Sequence, residues 1–224
     1  MDEISLFLES LKDCNTITLS SPLPFAKTQA IALIVNHFLS LESQVHYLDF
    51  DLQFSSLYLN QKSELNRNLK LFMTTDSTIS DLVVELISSE SQTGGLVVLD
   101  GINSLQSLLR EKKYRTDSIK ANHAASVLVT LLEQFASRLS KLLILTNLVR
   151  ARPKSVEGWV SWGPELSGGR MIRLKSDAIV SVSNPSESQR SASSKLEVRI
   201  ESISPKRSST GGKELFTLQV SSFT

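Results

Sequence analysis

A short apolar run, Ile17-Thr18-Leu19, passes through the compact turn Ser21-Pro22-Leu23-Pro24 into a stretch whose apolar residues Ile31, Ile34, Val35, Phe38 and Leu39 recur at helical spacing. A helix with one apolar face must bury it, and a strand feeding such a helix through a tight turn opens a βαβ unit. Thr16 to Leu39 therefore constrains the fold more than any other segment, and the rest of the chain repeats its grammar. Val45-His46-Tyr47-Leu48-Asp49-Phe50, Leu69-Lys70-Leu71-Phe72, Leu96-Val97-Val98-Leu99-Asp100 and Leu142-Leu143-Ile144-Leu145-Thr146 read as buried strands. Between them, Ile79, Leu82, Val83, Leu86 and Ile87 mark one helix, capped by Ser77 or Thr78, and Leu128, Leu131, Leu132, Phe135 and Leu139 mark a longer one. The alternation predicts an α/β fold with a mainly parallel sheet covered on both faces.

With 224 residues, 41% of them hydrophobic and 21% charged, the chain suits a single domain spanning 1–224 with a sizeable core. No apolar run approaches the roughly 18 residues of a membrane span, and the opening Met1-Asp2-Glu3-Ile4-Ser5 has no basic start followed by an apolar stretch. The expectation is an intracellular protein with no membrane association. One cysteine, Cys14, excludes an internal disulfide and a cysteine-built zinc site, and reads as a small packed residue. His46 and His123 fall on a strand and a helix without convergent ligand spacing, so no metal centre is expected there, and His37 reads as a boundary residue.

Ahead of the first strand, residues 1–15 hold one short helix, because Ile4, Phe7, Leu8 and Leu11 share a face; Phe7 and Leu11 would pack on the domain or on a neighbour. At the other end, 178–220 returns to strand-like alternation at Ala178 to Val182, Leu196 to Ile200 and Leu215 to Val220. Polar Ser-rich turns, Asn184 to Ser194 and Ser204 to Lys213, join these into antiparallel hairpins. Charge is uneven. Residues 1–149 carry 12 Lys+Arg against 16 Asp+Glu, or −4, whereas 150–224 carry 12 against 7, or +5. Between these parts, 147–169 loses periodicity and reads as a long basic loop with Arg150, Arg152, Lys154, Trp159 and Trp162, followed by Arg170 and Arg173. Guanidinium groups pair with phosphates and indoles stack on bases, so the composition suits single-stranded nucleic acid; Trp and Arg equally mark protein interfaces. Lys206 and Arg207 are either solvated tip residues or further phosphate contacts.

The turn after the first strand carries the chemistry. Ser21-Pro22-Leu23-Pro24-Phe25-Ala26-Lys27-Thr28 has the length, the Lys and the Thr of the phosphate-cradling pattern G-x-x-x-x-G-K-[ST], but neither glycine. A working cradle needs consecutive backbone N–H groups, and its two prolines remove two of them. Hydrogen bonds to charged groups contribute about 1.5–3 kcal/mol each, so the loss weakens nucleotide affinity by orders of magnitude. Asp51 follows the second strand, and Asp100 ends the strand beginning at Leu96, the place of a carboxylate that holds the water shell of Mg²⁺. Lys27, Thr28, Asp51 and Asp100 are thus candidates for a vestigial nucleotide site, with no catalytic residue and no bound ATP or Mg²⁺ expected.

Together these segments resemble the core of the RecA-type recombinase family, most closely the eukaryotic and archaeal strand-exchange proteins and their paralogues, from Thr16 to Val220. Ser21 to Gln29 falls on the first nucleotide motif and keeps Lys-Thr-Gln; Asp51 falls where the family has its catalytic glutamate; Leu96 to Asp100 falls on the second motif. Leu145-Thr146-Asn147-Leu148-Val149 falls on a strand whose family pattern is Thr-Asn-Gln-Val, with Leu148 replacing the nucleotide-sensing Gln, and Arg150 to Gly169 falls on the second DNA-binding loop. The resemblance implies a RecA-like P-loop core. The family's N-terminal polymerisation domain has no counterpart before Thr16, so a filament built by this chain unaided is not expected. The resemblance is to small D-like paralogues of Shu-type accessory complexes, which implies a nuclear, non-catalytic helper of homologous recombination and DNA repair. Its implied partners are another recombinase paralogue, a zinc-binding SWIM-domain protein, the main recombinase and single-stranded DNA. A DNA-dependent ATPase, and a RecA-fold scaffold in an unrelated assembly such as a transfer-RNA-modifying ring, remain the alternatives.

Overall fold

The computed structural model describes residues 2–61, 66–73, 79–88, 93–111, 117–156, 159–166, 169–184, 194–203 and 215–220, with 150–170 described by backbone alone. Five strands form its parallel part: β1 (Thr16–Ser21), β2 (Val45–Asp49), β3 (Leu69–Met73), β4 (Leu96–Asp100) and β5 (Leu142–Val156). With β6 (Trp159–Leu166), β7 (Ala178–Ser183), β8 (Ser194–Ile203) and β9 (Leu215–Val220), the sheet runs in the order β3-β2-β4-β5-β1-β7-β8-β9, and β6 pairs with β5 off that path. β7 joins β1 in parallel, after which β8 and β9 turn antiparallel, as the alternating tail predicts. This is the expected α/β architecture, a mainly parallel sheet flanked by helices with C-terminal antiparallel strands.

Each interior strand is buried on both faces because successive side chains point opposite ways. On one face Tyr47 and Val98 join a core with Phe7, Leu11, Ile31, Ile34, Val35, Phe54 and Tyr58. Helices α1 (Glu3–Ser10), α2 (Pro24–Ser40) and α3 (Gln53–Gln61) supply most of those residues. On the other face Leu48 and Leu99 join Leu82, Leu86, Leu105, Leu128 and Leu132 from α4 (Ile79–Ser88), α5 (Ile102–Leu109) and α6 (Ser118–Arg138). The N-terminal helix is capped by Asp2, whose Oδ1 accepts the Ser5 amide at 2.9 Å. Phe7 and Leu11 pack on their own domain, Phe7 meeting Phe216 edge-on at 5.6 Å.

Several expectations are corrected. The 147–169 stretch is not a loop: β5 continues to Val156 and pairs antiparallel with β6, from Val149 opposite Leu166 to Val156 opposite Trp159. Glu157-Gly158 stands between those strands, an X-Gly hairpin signal that the charged composition around it hides. Ile87 and Leu131, placed on core stripes by spacing, are 45% and 39% exposed, because shorter stripes around Leu82–Leu86 and Leu128–Leu132 suffice to cover the sheet. Helices α3, α5 and α7 (Gly169–Lys175) went unread. Ser77, Thr78 and most of the two Ser-rich turns lie outside the described residues.

His46 on β2 is fully buried, stacked on Phe72 at 6.3 Å and met edge-on by Phe135 at 5.7 Å. Burial above all, then the charges of Lys141 and Lys70, pushes its pKa down to about 3. It therefore folds neutral, while in the unfolded chain it takes up a proton below its ordinary 6.5. The unfolded state binds more protons between these values, so stability falls with acidification, by about 1.4 kcal/mol at pH 5.5 from this group. Chemical denaturation against pH checks this, with His46→Phe expected to flatten the slope between pH 7 and pH 5.5.

Candidate functional site

The C-terminal ends of parallel strands are where α/β sheets place their chemistry, and here β1, β2, β4 and β5 deliver one buried polar cluster. Two residues, Pro22 and Leu23, separate β1 from α2, and Pro24 occupies the first turn of the helix, where its fixed φ suits the start. Lys27 thus lies inside regular helix, its amide donating to Leu23 O at 3.2 Å. Its side chain is fully buried and its Nζ donates to Asp51 Oδ2 at 2.5 Å and to Asp100 Oδ1. Asp100 also accepts from the Tyr47 hydroxyl at 2.6 Å and from Thr146 Oγ1, and Asp51 accepts from Ser104 Oγ.

One ammonium therefore sits between two carboxylates, each carrying further hydroxyl donors. Burial pulls the Lys27 pKa down, but Asp100 and Asp51 together outweigh it and hold the group above its ordinary 10.5. The cation is permanent at neutral pH. Burial, reinforced by Asp100, drives the Tyr47 phenol well above its usual value, so it serves as a fixed donor. Its ring is clamped by Phe54, stacked at 4.0 Å.

Thr28 Oγ1 lies 3.1 Å from both Pro24 O and Gln53 Oε1, tying the first turn of α2 to the start of α3. Asp49 is not part of the cluster. Its carboxylate accepts the amides of Leu52 and Ser55, each at 2.7 Å, and the Ser55 hydroxyl at 2.6 Å, the work of a turn and helix-start carboxylate. Burial raises its pKa against those hydrogen bonds.

The donors left around the turn are few. Pro22 and Pro24 have no N–H, the Leu23 amide donates to Ser21 Oγ at 3.1 Å, and the Lys27 amide is in the helix ladder. Phe25 and Ala26 alone in this turn carry amides of the kind a helix start leaves over. A groove of about 550 Å³ opens beside them, walled by Pro24, Phe25, Thr28, Leu52, Gln53 and Leu57 among others. Lys27, Asp51 and Asp100 are not among the residues that line it.

No family model and no curated protein matches the sequence. Among solved structures, the ATPase domain of a RecA-like helicase is similar over 93% of this chain and 85% of that chain, with a TM-score of 0.56 at 12% identity. The fold is RecA-like. Within this RecA-like core the four residues singled out at the nucleotide motifs fall into two groups. Lys27, Asp51 and Asp100 meet directly, whereas Thr28 turns to Gln53. Sequence reasoning missed Tyr47, Ser104 and Gln53 as members of this network. Nothing in a run of strand residues marks Tyr47, but Ser104, two positions after the apolar Ile102, is the kind of polar residue a helix start presents to a strand end.

The basic residues are distributed differently. Arg150, Arg152 and Lys154 take alternate positions on β5, opposite Glu165, Gly163 and Ser161. That strand continues directly from Thr146, so the hairpin springs from the same sheet end as the Lys27 cluster. Arg173 is exposed on α7, which also carries Arg170, and Lys175 there pairs with Glu133 at 2.6 Å. The side chains of Arg150, Arg152, Lys154 and Arg170 lie outside the described ones, as do Lys206 and Arg207 altogether. Among the described residues, no group of His, Cys, Asp and Glu is set to hold a metal ion, and no helix is long and apolar enough to cross a membrane.

Proposed function

We propose that this RecA-like core is a non-catalytic recombinase paralogue that assists homologous recombination and DNA repair by promoting recombinase assembly on single-stranded DNA within a hetero-oligomer. The observation that carries the reading is the engagement of Lys27 by Asp51 and Asp100 beneath a turn with few free amides. A triphosphate asks for several consecutive N–H donors and a lysine free to reach it. Here the lysine neutralises the chain's own carboxylates, and withdrawing it would leave two buried negative charges together. These residues do not fit a nucleotide with its Mg²⁺, so the cluster acts as an internal strut of the sheet end.

The proposed partners follow from the motif resemblance: another recombinase paralogue, a SWIM-domain protein and the main recombinase, in the nucleus. DNA contact is assigned to Arg150, Arg152, Lys154, Arg170 and Arg173, with Lys206 and Arg207 as further candidates. Such contacts set affinity without reading sequence. A second reading, a DNA-dependent ATPase, is favoured by the convergence of Lys27, Asp51 and Asp100 at one sheet end.

One titration separates them: fluorescence anisotropy of a labelled single-stranded oligonucleotide against the full chain, over a range of salt, with and without MgATP. Binding is expected to weaken with salt and to ignore MgATP. Arg150→Glu with Arg152→Glu is expected to reduce the salt slope by about 1.4, two lost phosphate contacts at roughly 0.7 each. Binding gated by MgATP supports the ATPase instead, and an unchanged slope removes the hairpin from the DNA interface.

A further inference from the structure

The two edges of the sheet are protected unequally. Strand edges expose a row of unpaired N–H and C=O groups, and proteins usually blunt them with lysine, proline, a bulge or a covering element. The β3 edge carries Lys70. The β9 edge reads Leu215-Phe216-Thr217-Leu218-Gln219-Val220, without charge, proline or glycine. Its inner neighbour β8 carries Lys195, Glu197 and Arg199, set opposite Gln219, Thr217 and Leu215 respectively. The charges thus stop one strand short of the edge, the reverse of a strand built to face water.

β9 is held firmly in place. Leu218 is 2% exposed in the core and Phe216 packs on Phe7 of α1, so the strand is part of the folded sheet. Among the described residues no strand pairs with its outer side. Leu215 is 56% exposed and Leu6, on the helix that covers β9, is 45% exposed.

We propose that this edge is an interface with a second copy of the chain, β9 pairing antiparallel with β9 across a two-fold axis normal to the sheet. The strand is self-complementary in that arrangement. With Leu218 opposite its own copy, Phe216 meets Val220 and Thr217 meets Gln219, so each row opposes like with like and no charge calls for a partner of opposite sign. A neutral, alternating strand is what this edge accepts, and β9 itself supplies one. The same axis brings the two α1 helices together over one face, so Leu6 adds apolar area beside the backbone pairing.

Sedimentation velocity of the full chain over a wide concentration range tests this. Wild type is expected to show a concentration-dependent dimer. Thr217→Lys with Gln219→Lys changes two exposed positions and sets four lysines against one another; it is expected to raise the dimer dissociation constant at least about tenfold while circular dichroism and melting stay as in wild type. The matching Thr217→Glu with Gln219→Glu chain is expected to be equally monomeric. Mixing the two variants is expected to restore a dimer. A wild type that is monomeric throughout, variants as dimeric as wild type, or a mixture that stays monomeric would overturn the proposal, the first outcome leaving the edge to another protein.

Discussion

Lys27→Met is expected to destabilise the fold by about 3–5 kcal/mol, because it removes the cation from between two buried carboxylates and leaves both charges uncompensated. Asp100 is fully buried and the Asp51 side chain is 8% exposed, so water reaches neither well enough to replace the ammonium. The hydroxyls of Tyr47, Thr146 and Ser104 still donate to them, but hydroxyl dipoles do not neutralise two charges. Urea denaturation followed by fluorescence reads the loss as a lower midpoint at unchanged slope. Adding Asp51→Asn and Asp100→Asn to the same chain is expected to recover most of it, since the amides remove the charges while keeping the shapes. That recovery distinguishes a charge effect from a packing defect of the methionine. The pH profile runs in the matching direction. With its pKa raised above 10.5, Lys27 contributes its full stabilisation below that value and loses it as pH climbs through the folded one. An unaffected midpoint in Lys27→Met would mean the carboxylates are solvated and the lysine is free for a ligand, which would return the site to the ATPase reading.

The parallel core was legible because its signal is collective. Five strand-length apolar runs separated by helical stripes leave few topologies open, and β1 to β5 fall within a residue or two of their expected starts. The register of the Lys27 cluster was partly legible too. Strand-end aspartates and a lysine in the first helical turn share the C-terminal edge of a parallel sheet, so Asp51, Asp100 and Lys27 were bound to lie near one another. What periodicity cannot carry is which hydrogen bonds form. Asp49 and Asp51 are two residues apart and chemically alike, yet one caps a turn and the other meets the lysine; backbone geometry after Phe50 decides this. The short helices α3 and α5 hid because each offers only a few apolar positions, Phe54, Leu57 and Tyr58 or Ile102, Leu105 and Leu109. The β5–β6 hairpin hid behind its charges: a ribbon leaving the sheet has no apolar face to alternate, so composition resembled a loop.

Gly95→Ala is expected to be as damaging as a large core truncation, about 3 kcal/mol or more, although it adds one methyl group. Gly95 has φ +102°, a region L side chains rarely adopt, and a Cβ there would stand 2.2 Å from the backbone oxygen of Gln44. That oxygen accepts the Leu96 amide at 3.0 Å, and Gly95 O accepts the Leu142 amide at 3.0 Å. The residue therefore ties the starts of β2, β4 and β5 together, and no flexible side-chain tip is available to yield. Relief requires moving the chain at the head of β2, which shifts the strand that carries Tyr47 to the polar cluster. The adjacent Gly94 isolates the cause. It too has positive φ, +80°, but a Cβ added there meets nothing within 4 Å. Gly94→Ala is accordingly expected to cost only the conformational strain, about 1–2 kcal/mol. In a chain of this size each kcal/mol moves the melting temperature by roughly 2–4 °C, so the two alanines separate clearly in a thermal scan. Equal losses would assign the effect of Gly95 to backbone strain alone and show that the strand starts have room to part; a larger loss at Gly95 ties the sheet's central register to that single missing side chain.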